Sequence, residues 1–164
     1  MGRIAAIVGL TALLGTGACH GGSGGTSDGC GPTTREALDP NYLVHVLQDD
    51  PSIQYRSDPP TSGPHQPGPD VHGTVDRTLT KPVQVGLLEG GDVLLQYRPD
   101  DVKGADLTQL TDLAGDKVVV APNADLPAPV VATAWLYKRT CDRVSADPLQ
   151  AFIDARAGHG PDQP

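Results

Sequence analysis

The stretch Asp58-Pro59-Pro60-Thr61-Ser62-Gly63-Pro64-His65 constrains this chain more than any other. Its three prolines fix φ, and each also drives the residue before it out of the helical region. Gly63 has access to backbone angles closed to other residues. The stretch is expected to form a stiff, non-helical turn framed by Pro59, Pro60, Ser62, Gly63 and Pro64, with Ser62 and His65 held in fixed positions.

The N-terminus has the layout of an export signal. Met1-Gly2-Arg3 is basic, Ile4 to Leu14 is mostly apolar, and Thr16-Gly17-Ala18 supplies small residues before Cys19. A cysteine in that position resembles the lipidation site of a bacterial lipoprotein, although Thr16 stands where an aliphatic residue is usual. An ordinary cleaved signal peptide is the alternative. A Gly/Ser-rich tether follows Cys19. The expected division is residues 1–18 as signal peptide, 19–29 as tether, 30–161 as one domain and 162–164 as a frayed tail. Acylation of Cys19 would place the protein on the outer face of the cell membrane, with the lipid bilayer as partner.

The chain has three cysteines, so lipidation of Cys19 leaves the even pair Cys30 and Cys141. In an exported protein that pair is expected to form a disulfide. The net charge of −8 and the lack of a Lys/Arg cluster argue against nucleic-acid binding. There is no apolar run long enough for a conventional spanning helix.

The expected fold class is α+β: a small antiparallel sheet with two helices on one face, in the order β-β-α-β-β-α. A loop-rich, Pro/Gly-rich third precedes it. Val83–Leu88 and Val93–Tyr97 read as a hairpin around Gly90-Gly91. Leu107, Leu110 and Leu113 mark a helical stripe within Asp106–Ala114, ended by Gly115. Val118–Ala121 and Val130–Tyr137 read as strands. Pro148–Ala157 reads as a helix capped by Asp147. Trp135 is expected to pack within its strand.

Pro59-Pro60-Thr61-Ser62-Gly63-Pro64-His65, Leu88-Glu89 before a strand ending at Tyr97, and Thr133-Ala134-Trp135 with Cys141 six residues on resemble a bacterial family. It is the domain of unknown function 3105, found mostly in exported or membrane-anchored proteins. His45-Val46, Phe152 and Gly160-Pro161 also fit it. The family commonly carries Val-His-x-Leu-Glu-His-Gly where this chain has Val85-Gly86-Leu87-Leu88-Glu89-Gly90-Gly91. The resemblance implies that two imidazoles are replaced here by Gly86 and Gly90, which would share one face of a strand. A histidine site, if the family has one, is expected to be weakened in this chain.

The chemistry-bearing residues are sparse. His45, His65 and His72 form no spaced ligand motif, and His45 and His65 are the metal-site candidates, with a carboxylate completing the set. No cofactor is expected, with zinc or copper as the alternative. Glu89 reads as a solvated carboxylate at a turn. Ser62, His65 and Asp58 lie close in sequence, but there is no nucleophile elbow, and the residues lean away from an enzyme. Thr61 and Ser62 are expected to bond the local backbone. Two function classes emerge: a surface-tethered accessory or binding module, or an extracytoplasmic metal-binding domain.

Overall fold

The computed structural model describes residues 1–2, 28–48 and 50–161. Cys19, most of the leader and tether, and the tail 162–164 lie outside the described residues. Along the chain run β1 (Thr34–Arg35), α1 (Lys81–Glu89), β2 (Val93–Tyr97), α2 (Gly104–Thr111), β3 (Val118–Pro122), β4 (Val130–Ala134), β5 (Tyr137–Cys141) and α3 (Ala146–Arg156). The strands form one sheet in the order β1-β5-β4-β2-β3. The α+β class holds.

The sheet is mixed rather than wholly antiparallel. β2 and β3 run parallel, with Val93 opposite Val118 and Leu95 opposite Val120. Parallel neighbours need a crossover, and α2 supplies it. The β4–β2 and β5–β4 pairings are antiparallel. β2 is buried along its whole length, so both of its faces must be covered. Leu95, Val120 and Ala132 pack with Leu110 of α2 and with Leu149, Phe152 and Ile153 of α3. Leu94, Val119 and Ala121 pack on the other side with Val85, Leu87 and Leu88 of α1. The helices therefore cover both faces, not one.

Val83–Leu88 is helical, which corrects the expected hairpin. Pro82 sits in the first helical turn, where a missing N–H costs nothing, whereas in a strand it would break the ladder. The apolar run that reads as a strand is a helix buried on most sides. Gly90-Gly91 ends that helix instead of turning a hairpin; the Gly90 N–H donates to the Gly86 carbonyl.

Val130–Tyr137 is likewise two elements. The chain reverses at Trp135-Leu136, and Leu136 takes the left-handed φ of 62°. Trp135 is thus a hairpin-tip residue, buried edge-on against Tyr42 at 6.4 Å. α2 begins earlier than expected and ends at Thr111, capped by Asp112 rather than Gly115; Leu107 and Leu110 lie on it, Leu113 follows it, and all three pack on the core. α3 begins at Ala146 after Ser145, so Asp147 lies in the first turn rather than at the cap. Cys30 and Cys141 are joined by a disulfide that ties the start of the described domain to the end of β5.

Candidate functional site

The Pro59–His65 turn is as rigid as its sequence requires, but its hydroxyls do not act locally. Ser62 Oγ accepts from the Asp39 N–H at 2.9 Å. Thr61 Oγ1 donates to Glu36 Oε2 at 3.0 Å. Both partners lie more than twenty residues away, which corrects the expected local bonding. The hairpin tip supports the turn from the other side, where Leu136 N–H donates to the Thr61 carbonyl. Burial alone would raise the Glu36 carboxyl. Hydrogen bonds from Ser57, Lys138 and Thr61, with the charge of Lys138 at 3.0 Å, outweigh it and hold it below the usual range.

Gly63 has φ 133°, closed to residues with a Cβ, and a Cβ there would come within 3.0 Å of the Tyr55 ring. Tyr55 in turn donates its hydroxyl to the Pro64 carbonyl at 2.9 Å. The consequence is the aim of the Gly63 carbonyl, which lies 3.0 Å from His65 Nδ1. A carbonyl only accepts, so Nδ1 carries a proton and donates. In the neutral ring this leaves Nε2 with a free lone pair.

His65 is fully buried. Its Nε2 lies 2.8 Å from Glu89 Oε2, yet it has no partner in hydrogen-bonding geometry. The proximity is real and the alignment is not, so this is a close polar contact rather than a bond. His45 completes the group. Its backbone pairs with that of His65, where His65 N–H donates to the Val44 carbonyl and Val46 N–H to the His65 carbonyl. The two rings meet edge-on with centroids 4.9 Å apart. One donor atom each from His45, His65 and Glu89 lie within 4.8 Å of one another.

Three segments build this cluster: the loop carrying His45, the turn carrying His65, and the C-terminal end of α1 carrying Glu89. His45 is exposed and Glu89 half-buried, so the cluster opens to solvent on one side. Glu89 is not the solvated turn carboxylate that sequence suggests. It sits at a helix C-terminus with no basic residue in that last turn, where the helix dipole disfavours an acid. A cation beside it would offset that cost. The signal that reveals Glu89 is its place in α1, which is hidden while Val83–Leu88 reads as a strand.

His72 does not join the group; it is exposed and pairs with Asp70 at 3.2 Å. Asp58 pairs with Lys81 at 3.0 Å, away from Ser62, and no serine triad forms among the described residues. Asp92, just after α1, is raised above the usual range by burial, with Lys117 at 3.5 Å offsetting part of the shift.

Fold and cluster together define a small α+β domain with a three-donor, two-histidine-one-carboxylate constellation at the edge of its turn. The chain matches the family described as "Protein of unknown function (DUF3105)" over residues 45–164, and it belongs to that family. The match begins at His45 itself. No curated protein and no solved structure matches the chain significantly.

Against the family pattern stated above, Gly86 and Gly90 lie one turn apart on a helix rather than on one face of a strand. Gly86 is closed to any side chain. A Cβ there would fall on the Gln66 carbonyl oxygen and 3.1 Å from Pro69 Cδ. Gln66 directly follows His65, so the glycine is what lets the metal-candidate turn lie against α1.

Proposed function

We propose that this protein is an extracytoplasmic metal-binding module, tethered to the membrane by an acylated Cys19, that holds one zinc or copper ion between His45, His65 and Glu89. The observation that carries the reading is the buried His65 Nε2, which lies 2.8 Å from Glu89 Oε2 without hydrogen-bonding alignment and has a donor atom of His45 close by. A buried polar atom left without a partner destabilises a fold by about 1–3 kcal/mol. A bound cation removes that cost. The Nδ1–H bond to the Gly63 carbonyl is the arrangement that fixes the tautomer of metal-binding histidines.

Donor type and spacing support a borderline ion. Imidazole suits zinc and copper, and a carboxylate is tolerated by both. Atoms around one ion at about 2.1 Å lie no more than about 4.2 Å apart. The three donor atoms here lie within 4.8 Å of one another, and exposed His45 is the side chain freest to adjust. Three protein donors leave a fourth position open on the solvent side, which suits exchange or delivery more than a sealed structural role. The tether and the apolar leader support export, and the Cys30–Cys141 bridge is compatible with an oxidising compartment.

Isothermal titration of tag-free protein with zinc and with copper is the test. One-to-one binding is expected, weakened at least tenfold by Glu89→Gln and by His45→Ala. Both groups are solvent-accessible, so the variants should keep the fold. Absent saturable binding, or binding indifferent to both substitutions, would overturn the reading. Mass spectrometry of the membrane fraction should find a diacylglyceryl-modified Cys19 as the first residue. A wholly soluble product refutes the tether.

A further inference from the structure

On the tail side of the β4–β5 hairpin lies a cavity of about 280 Å³, lined by Trp135, Leu136, Tyr137, Arg35, Arg156 and His159. Arg156 ends α3, and its Cζ lies 3.4 Å from the centroid of the Tyr137 ring. Its Nε is buried and has no hydrogen-bond partner. Among the described residues the guanidinium has no ion-pair partner either. Arg35 and His159 also line the cavity.

Acids outnumber bases in this chain of net charge −8, so carboxylate partners are plentiful. Lys81, Lys103, Lys117 and Lys138 each meet a carboxylate, and among the described residues Arg156 does not. A guanidinium held flat by an aromatic ring keeps its fork of donors pre-set, and that fork matches a carboxylate in two parallel bonds. Trp135 and Leu136 at the hairpin tip give the lining its apolar part, with Leu136 in its left-handed conformation.

From this arrangement we infer that the cavity is a binding site for a small organic carboxylate with an apolar body, its carboxylate on Arg156 with Arg35 beside it, and its body against Trp135 and Leu136. Two sources offer that chemistry, a free short-chain acid and the C-terminus of a peptide. The volume suits a ligand of a few carbons. The site is separate from the metal cluster and does not depend on it.

Trp135 is the sole tryptophan of the chain and lines the cavity, so its fluorescence reports occupancy. The probes are isovalerate for a free acid and N-acetyl-leucine for a peptide end, titrated at constant ionic strength. A saturable change is expected with at least one of them, and which one responds identifies the source. Isovaleramide, the neutral isostere, should give none. Arg156→Gln should weaken the response at least tenfold. Arg156→Lys, which keeps charge but loses the fork, should weaken it severalfold. Circular dichroism and thermal melts of each variant check that the fold is retained, and Arg35→Gln gives a second reading should Arg156 variants fail to fold. A non-saturating response, one matched by the amide, or one unchanged in the folded variants overturns the proposal. A chain ending at Pro161 provides the last arm. If only that shortened chain responds, residues 162–164 fill the cavity and the external ligand is refuted.

Discussion

Replacing Gly86 by alanine separates the demands of the helix from those of the fold. In an isolated helix the change should stabilise by about 1 kcal/mol, because glycine gives up more backbone entropy than alanine. In this fold Gly86 faces the Gln66 carbonyl, and the added methyl would lie on that oxygen and 3.1 Å from Pro69 Cδ. Neither obstacle is the loose end of a side chain. Gln66 N–H donates to the Pro82 carbonyl at 3.0 Å, so the loop is tied to the same helix that would push it away. Overpacking of this kind costs about 1–3 kcal/mol, and the depth of the overlap puts Gly86 at the upper end. The net effect is a loss of about 2 kcal/mol. With an m-value of about 2 kcal/mol/M, the urea midpoint falls by about 1 M. Gly90→Ala is the matched control. Gly90 has φ −68°, and the nearest atom to its added methyl is the Leu87 carbonyl oxygen at 3.3 Å. That variant should stay within about 0.5 kcal/mol of wild type. Equilibrium urea unfolding of all three proteins, with m-values compared, is the assay. Gly86→Ala as stable as wild type, or more so, would refute the close approach. Zinc titration of the same variant should show weakened binding, since His65 moves with Gln66. Gly86→His should fail more severely than alanine, because the larger side chain meets the same Gln66 carbonyl.

Three further outcomes follow from the geometry. Cys141→Ser opens a loop closed across 111 residues and should cost up to about 4.8 kcal/mol in the chain-entropy model, read from the urea midpoint of the variant; a loss under about 1 kcal/mol would remove the bridge from the account of stability. Gly63→Val should destabilise severely because φ 133° is closed to a β-branched residue, and Ser62→Ala should cost about 1–3 kcal/mol by stranding the buried Asp39 N–H, both measured by thermal and urea unfolding. Stability should also respond to pH with opposite slopes at two carboxyls. The Glu36 carboxyl is lowered from 4.5, so its contribution is full above that value and disappears as pH falls through the lowered one. The Asp92 carboxyl is raised from 3.8, so the folded state holds the extra proton in the window above 3.8 and stability declines as pH rises through it. Urea midpoints against pH for Glu36→Gln and Asp92→Asn should each lose the corresponding slope; parallel profiles for variants and wild type would refute the assignment.

The sequence by itself determined the features that rest on local stereochemistry and on counting. Three prolines and Gly63 dictate a rigid turn whatever surrounds them, because φ is fixed covalently or freed by a missing Cβ. An even cysteine pair dictates the Cys30–Cys141 bridge once Cys19 is set apart. The family pattern was legible in the turn residues and in Thr133-Ala134-Trp135. His45 and His65 were legible as the best ligand candidates, but only as types of residue. What the tertiary structure decided is which apolar runs become helix or strand and which side chains meet. Val83–Leu88 is apolar apart from Gln84, and that composition serves a buried helix and a buried strand equally. The sheet face it covers makes the choice. Val130–Tyr137 is cut at Leu136 because β5 must return beside β4 to reach Cys30, which local propensity cannot register. Glu89 reaches His65 only because α1 is a helix and its end lies over the turn. The separation of His45, His65 and Glu89 along the chain carries no information about their distance in space; the backbone pairing of residues 44–46 with His65 and the Gly86–Gln66 contact set it.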